Sequence, residues 1–370
     1  MKKALIIGAG MGGLVPAMFL QKKGWNVTII ERDNIHGGGV RTFFHGGHPY
    51  TLGPRHFLSP YPEAYEFLNQ YVPMRDLTKI SYTYMDQDKA FYTYPIHEDD
   101  IPLMPEKDQI YEELEKRPQN FKPKNFEELW VSRVGPTLFG KYIRDYNKKA
   151  WMIDDNKEMD HGSGIEITVK RHALEKGARN EFKDWFNCYP IALDGYNKFF
   201  DIAIEGCNLM LNTNITGFDV DRCELTLETG EKLQGDILIS TLSPDLLLEK
   251  QFGELRYVGR EFYKFVLPLE FVLPENVYQI YYPSGDLQQT RIVEYKKFSQ
   301  YKSPHTLLSM EVPSMSNKLY PMLIKKEVDR AQKYLDALPD NVYSMGRMGR
   351  YRYIDVDDII MDTLEFIKNV

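Results

Sequence analysis

Between two apolar stretches at the start of the chain stands Gly8-Ala9-Gly10-Met11-Gly12-Gly13, and no other feature narrows the possible folds so far. Lys3 to Ile7 reads as a short buried strand, Leu14 to Lys23 as a helix that Gly24 ends, and Asn26 to Glu31 as a second strand. Strand, glycine turn, helix and strand in that order make a βαβ unit, which predicts a parallel sheet with crossover helices. Glycines at Gly8, Gly10 and Gly13 let the backbone approach a pyrophosphate seated on the helix N-terminus. Glu31 closes the second strand, with Arg32 beside it, where a carboxylate can accept hydrogen bonds from ribose hydroxyls. A glycine pattern alone could be only a tight turn; the whole unit with its terminal acid reads as a dinucleotide site.

A second glycine cluster follows in Asp33-Asn34-Ile35-His36-Gly37-Gly38-Gly39-Val40-Arg41. Gly38 and Gly39, followed by Arg41, resemble the cluster that in two-dinucleotide-fold flavoproteins packs against the pyrophosphate and the flavin edge, which favours FAD over NAD; the competing reading is a flexible loop with an unrelated surface arginine. His45, His48 and His56 gather loosely with Arg41 and Arg55 but lack metal-ligand spacing, so they read as flavin-pocket or turn residues and no metal is expected. Near the end, Gly346-Arg347-Met348-Gly349-Arg350-Tyr351-Arg352-Tyr353-Ile354-Asp355 precedes a helix from Val356. Its position suits a flavin ring or an anion at a helix N-terminus.

The 370 residues carry 46 Lys plus Arg against 53 Asp plus Glu, a net charge of −7, which argues against a broad nucleic-acid or anionic-membrane surface. Any anionic ligand must then be met by local arginines. Cys188, Cys207 and Cys223 form no CxxC and leave an odd thiol, the pattern of reduced cysteines in a cytoplasmic protein. Met1-Lys2-Lys3 and the apolar run to Leu20 superficially resemble a secretion signal, but five Gly or Pro residues interrupt that run. No stretch has the length of uninterrupted apolar residues that a membrane span needs. Charge-rich helices are expected at Asp108 to Arg117 and Asn125 to Arg133, and alternating strands from Arg256 to Met310. The fold expected is α/β: a Rossmann-like FAD-binding domain from 1–75, 188–245 and 338–370, a mostly helical insert at 100–187, and a second, antiparallel sheet domain from 76–99 and 246–337.

Within these elements Tyr146 and Trp151 share a charged helix, where large aromatics either pack or offer a stacking face. Arg291 sits between Thr290 and Ile292 on an apolar strand, and a cation there needs either an ion pair with Glu294 or Glu311 or a phosphate. Tyr146-Asn147-Lys148-Lys149-Ala150-Trp151, Leu193-Asp194-Gly195-Tyr196, Phe252-Gly253-Glu254-Leu255-Arg256-Tyr257, Thr290-Arg291-Ile292-Val293-Glu294-Tyr295, Glu311-Val312-Pro313, Tyr320-Pro321 and Tyr351-Arg352-Tyr353-Ile354-Asp355 follow the opening glycines in an order and spacing that resemble the UDP-galactopyranose mutase family along nearly the whole chain.

The resemblance implies a flavoenzyme, active with reduced FAD, that interconverts pyranose and furanose forms of a nucleoside-diphosphate sugar. In that family the reduced flavin N5 attacks the anomeric carbon. By motif match Arg291 would hold the diphosphate with Tyr320 and Tyr353, Tyr146 would stack on the base, and Trp151 would wall the sugar. Asn147, Tyr281 and Glu311 would complete the substrate side, while Arg347, Tyr353 and Asp355 would sit at the flavin. Relatives of this kind are commonly dimers.

The departures cluster in what would be the sugar pocket. The family's G-[AP]-H-x-F-H appears here as Gly53-Pro54-Arg55-His56-Phe57-Leu58, its P-x-N as Pro95-Ile96-His97, and its Y-P-x-N-D as Tyr320-Pro321-Met322-Leu323-Ile324. They leave Arg55 and His56 at the flavin, His97 at the substrate, and the sugar open. A second diphosphate arginine is expected at Arg179 rather than Arg171. Two other readings compete: an FAD-dependent oxidoreductase of the amine-oxidase or desaturase type, and a paralogue that binds a nucleotide without catalysis.

Overall fold

The computed structural model describes residues 1–78, 80–160, 174–179, 185–274 and 276–370; Arg171 lies outside them. The elements that build the site run β1 (Lys3–Ile7), α1 (Met11–Lys22), β2 (Asn26–Ile30), β3 (Ile80–Met85), β4 (Ala90–Tyr94), α2 (Phe126–Phe139), α3 (Asp145–Trp151), β5 (Asn208–Met210), β6 (Ile237–Ser240), β7 (Tyr257–Leu267), β8 (Val277–Tyr281), β9 (Arg291–Glu294), β10 (Thr306–Ser314), β11 (Tyr320–Pro321), β12 (Val342–Ser344) and α4 (Val356–Lys368).

β5, β2, β1, β6 and β12 lie side by side in that order, and every pair among them is parallel. Strands in such a sheet are buried on both faces, which is why β1 reads Ala4-Leu5-Ile6-Ile7 without alternation. Ala4 and Ile6 pack with α1 and α4 on one side; Leu5 and Ile7 pack with Leu225 and Leu227 of a small three-stranded antiparallel sheet on the other. The glycine turn is a steric necessity. Gly8 has φ +92°, and a Cβ on Gly13 would stand 2.0 Å from the Gly8 carbonyl oxygen.

A second sheet of seven strands runs β11-β7-β10-β9-β8-β3-β4. Its neighbours are antiparallel except β8 and β3, which are parallel. That one exception has a topological cause, since β3 and β4 come from a remote part of the chain and join the sheet at its edge. The expected helices at 108–117 and 125–133 form as Lys107–Glu115 and as α2. α2 starts at Asn125, whose side chain accepts the Glu128 amide, and is bent at Gly135 (φ +81°) before Pro136. A π-helical turn, Gly140–Arg144, then leads into α3. No helix among the described residues is long and apolar enough to cross a membrane.

Candidate active site

A cavity of about 500 Å³ opens between the parallel sheet, the second sheet and α3. At one end three backbone segments meet with no side chains between them. A Cβ on Gly38 would stand 3.0 Å from the Gly10 Cα, and one on Gly12 would stand 2.9 Å from the Gly346 Cα. Gly10, Gly12, Gly39 and Gly346 therefore line a cradle of exposed backbone at the N-terminus of α1, the shape and polarity that suit a pyrophosphate.

The other end is built by periodicity. Tyr142, Tyr146 and Ala150, and beside them Ile143, Asn147 and Trp151, recur every fourth residue through the π turn and α3, and all six face the cavity. Opposite, in-register pairing carries Glu311, Arg291, Tyr281 and Thr83 across β10, β9, β8 and β3 in one row. Residues paired in register share a sheet face, so all four look at α3. Tyr281 stacks on Tyr94 at 3.9 Å between centroids and meets Tyr146 edge-on at 6.0 Å. Thr83 Oγ1, Trp130 Nε1 and Tyr142 Oη are buried on this wall without a hydrogen-bond partner among the described residues.

Between the two ends lies a cluster of arginines and tyrosines. Tyr320 and Tyr353 stack at 5.6 Å, Trp151 meets both edge-on, and the Arg347 guanidinium lies 4.8 and 5.0 Å from their rings. Arg260 lies 5.1 Å from the Tyr320 ring. Burial raises the Tyr320 phenol, but Arg55, Arg347 and Arg260 outweigh it and bring the group below the ordinary tyrosine value. At the first turn of α4 burial and the neighbouring Asp358 and Asp355 push Asp357 up to about 7.

Two of these cations are already matched. Glu311 takes Arg291 side-on, with Nη2 donating at 2.9 and 2.8 Å and Nε at 3.1 Å, which leaves Nη1 to Tyr281 Oη at 3.3 Å and Gln279. Burial opposes the Arg291 charge, and Glu311 more than offsets it. Arg347 donates to Asp355 at 2.8 Å. Arg55 gives its Nε to the Gly39 carbonyl at 3.1 Å and Arg260 its Nη1 to the Gly259 carbonyl at 2.7 Å, and neither has a carboxylate partner among the described residues.

Of the residues singled out in the sequence, Gly10, Gly39, Arg55, His56, Tyr146, Asn147, Trp151, Tyr281, Arg291, Glu311, Tyr320, Arg347, Tyr353 and Asp355 share this cavity. Gly8, Gly13 and Gly38 shape the cradle from behind. Glu31 is off the wall, its carboxylate accepting the amides of Ala9 and Asp33 at 2.8 and 2.9 Å. Arg32 points outward beside Asp33. Arg179 does not reach the wall either, because Asp100 holds its guanidinium at 2.5 Å. His97 is buried away from the cavity, where its Nδ1 accepts the Asp99 amide at 3.2 Å and caps a short turn. Met322, Leu323 and Ile324 are likewise core rather than sugar pocket. Glu294, the other partner expected for Arg291, accepts the amides of Val272 and Leu273 instead.

Arg260, Thr83, Gln279, Trp130 and Asp357 were not singled out. Arg260 left one legible sign, a lone cation in the otherwise apolar opening of β7.

Fold and cavity together define a dinucleotide-binding α/β protein whose second sheet closes a cationic, tyrosine-lined site. The family model for UDP-galactopyranose mutase matches residues 141–353, and one for an NAD(P)-binding Rossmann-like domain matches residues 6–71. The chain belongs to the UDP-galactopyranose mutase family, and so to a family of isomerases. A probable UDP-galactopyranose mutase of Klebsiella pneumoniae is 25% identical over 394 residues, covering 100% of this chain and 96% of that protein. A dTDP-fucopyranose mutase of Escherichia coli is also 25% identical, over 403 residues, covering 100% and 99%. The crystal structure of a reduced UDP-galactopyranose mutase superposes with a TM-score of 0.83 at 21% identity, covering 100% of this chain and 95% of that one.

Proposed function

We propose that the protein interconverts the pyranose and furanose forms of a nucleoside-diphosphate sugar, with FAD held in the glycine cradle. One observation carries the reading: the cradle and the tyrosine-walled end are parts of a single cavity, and Arg55 and Arg260, which have no carboxylate partner among the described residues, line it. Two relatives that span the chain are named as mutases of UDP- and dTDP-linked sugars, which supports it.

The cradle fits the pyrophosphate of FAD, with Gly10, Gly12 and Gly39 presenting backbone, and Arg347 and Asp355 would help to hold the flavin. When bound and reduced, the flavin supplies the nucleophile for the anomeric carbon. The chain's own part is electrostatic. Departure of a diphosphate builds negative charge, and Arg55, Arg260 and the Nη1 edge of Arg291 are preorganised to receive it. The hydroxyls of Tyr320 and Tyr353 add donors to the same anion. Tyr146, Tyr94 and Tyr281 offer faces to a base, and Trp151 walls the sugar between them.

The test is anaerobic. Dithionite-reduced, FAD-loaded protein incubated with UDP-galactopyranose and, separately, dTDP-fucopyranose is expected to yield the furanose form of at least one, with no acceptor consumed. Furanose from neither sugar, together with reduction of oxidised flavin by an amine or a carotenoid, would replace this reading with an oxidoreductase.

A further inference from the structure

Lys149 points away from the residues of α3 that line the cavity, yet it is the most heavily hydrogen-bonded side chain of that helix. Its ammonium donates to the carbonyls of Tyr282 at 2.7 Å and of Ser284, Leu287 and Gln289 at 2.8 Å each. All four belong to the segment joining β8 to β9. An ammonium has three protons, so four acceptors exceed its donors and at least one proton is shared, as in a cage around a cation. Burial pushes the ammonium down to about 8, and Asp145 on the same helix works the other way. Among the described residues no other hydrogen bond ties α3 to residues 282–289.

The two pieces so joined carry the two halves of one wall. α3 presents Tyr146, Asn147 and Trp151; the joined segment begins after Tyr281 and ends before Arg291. Tyr146 and Tyr281 face each other across the junction at 6.0 Å, and Arg291 reaches the Tyr281 hydroxyl. We propose that Lys149 is a positioning residue that clamps the β8–β9 segment onto α3 and thereby holds Tyr146 and Tyr281 in the edge-on contact that shapes the nucleotide-binding end. The inference rests on the nucleotide-sugar reading above for the identity of the ligand, and on the carbonyl cage alone for the clamp.

Lys149→Met keeps a stem of similar length and removes every donor. In FAD-loaded full-length protein it is expected to weaken UDP and dTDP binding about tenfold, to raise KM more than it lowers kcat, and to leave FAD affinity unchanged. In a double-mutant cycle with Tyr281→Ala the two losses should fall short of additive, because both act through one geometry. Chymotrypsin should cut after Leu287 about tenfold faster in K149M. Nucleotide affinity like the parent's, losses that simply add, or unchanged cleavage would overturn the proposal. If K149M does not fold, Lys149→Gln, which keeps two donors without the charge, takes the same three measurements with smaller losses expected. A parent protein that binds neither UDP nor dTDP would remove the nucleotide reading, and the cleavage rate would then decide the clamp by itself.

Discussion

Arg260, which is buried, and Arg291, which is partly buried, line the same cavity, but they differ in what their removal would leave behind. Arg291→Met strands Glu311, which is 3% exposed, as an unpaired buried carboxylate. It is therefore expected to cost about 3–5 kcal/mol of stability as well as nucleotide binding. Arg260→Met strands no carboxylate among the described residues. It should keep its melting temperature within a few degrees, the span of about 1 kcal/mol, while UDP affinity falls at least about tenfold. Thermal melts alongside UDP titrations separate the two, and equal destabilisation by both would refute the division into matched and unmatched cations. The sequence made Arg291 visible because it stands just before the apolar Ile292 and Val293 with two acids in reach. It did not show which acid would answer, since only the β9–β10 register sets Glu311 opposite.

At the scale of elements the turn from β1 into α1 and the first turn of α4 make separate predictions. Gly38 has φ +55° and faces the Gly10 Cα, so Gly38→Ala should lose FAD on gel filtration without unfolding the parallel sheet. α4 begins with a capping box formed by Asp355 and Asp358, and Asp357 is packed between them in sequence with its pKa raised to about 7. A carboxyl whose folded value lies above its unfolded one binds the extra proton in the native state. Stability of the cofactor-free protein should therefore decline as pH rises from about 5 to 8, by up to about 3 kcal/mol from this group. Asp357→Asn should flatten that decline; chemical denaturation at several pH values reads it, and an unchanged slope in D357N would assign the effect elsewhere. The βαβ unit was legible because its signals are local: a buried run, a glycine turn, a helix stop. The π turn at Gly140–Arg144 carries no comparable mark, so the two rows of side chains that α3 sends into the cavity could not be read from spacing alone.

For the whole molecule the consequence is coupling. The glycine cradle and the tyrosine wall bound one cavity, so a nucleotide diphosphate added to FAD-loaded protein is expected to change flavin fluorescence, and cofactor-free protein should bind UDP more weakly. A flavin signal blind to saturating UDP would mean that the two ligands occupy separate places. The parallel sheet, the glycine cradle, the family and most of the cavity's arginines and tyrosines were determined by the sequence itself, because short-range periodicity and ordered motifs carry them. Which cations are free to meet an anion was decided only by the tertiary structure. It withdrew His97 and Arg179 from the wall, bound Arg291 to Glu311 and brought Arg260 in. Charge matching depends on strand register and on the packing of distant segments, neither of which is written in any stretch of neighbouring residues.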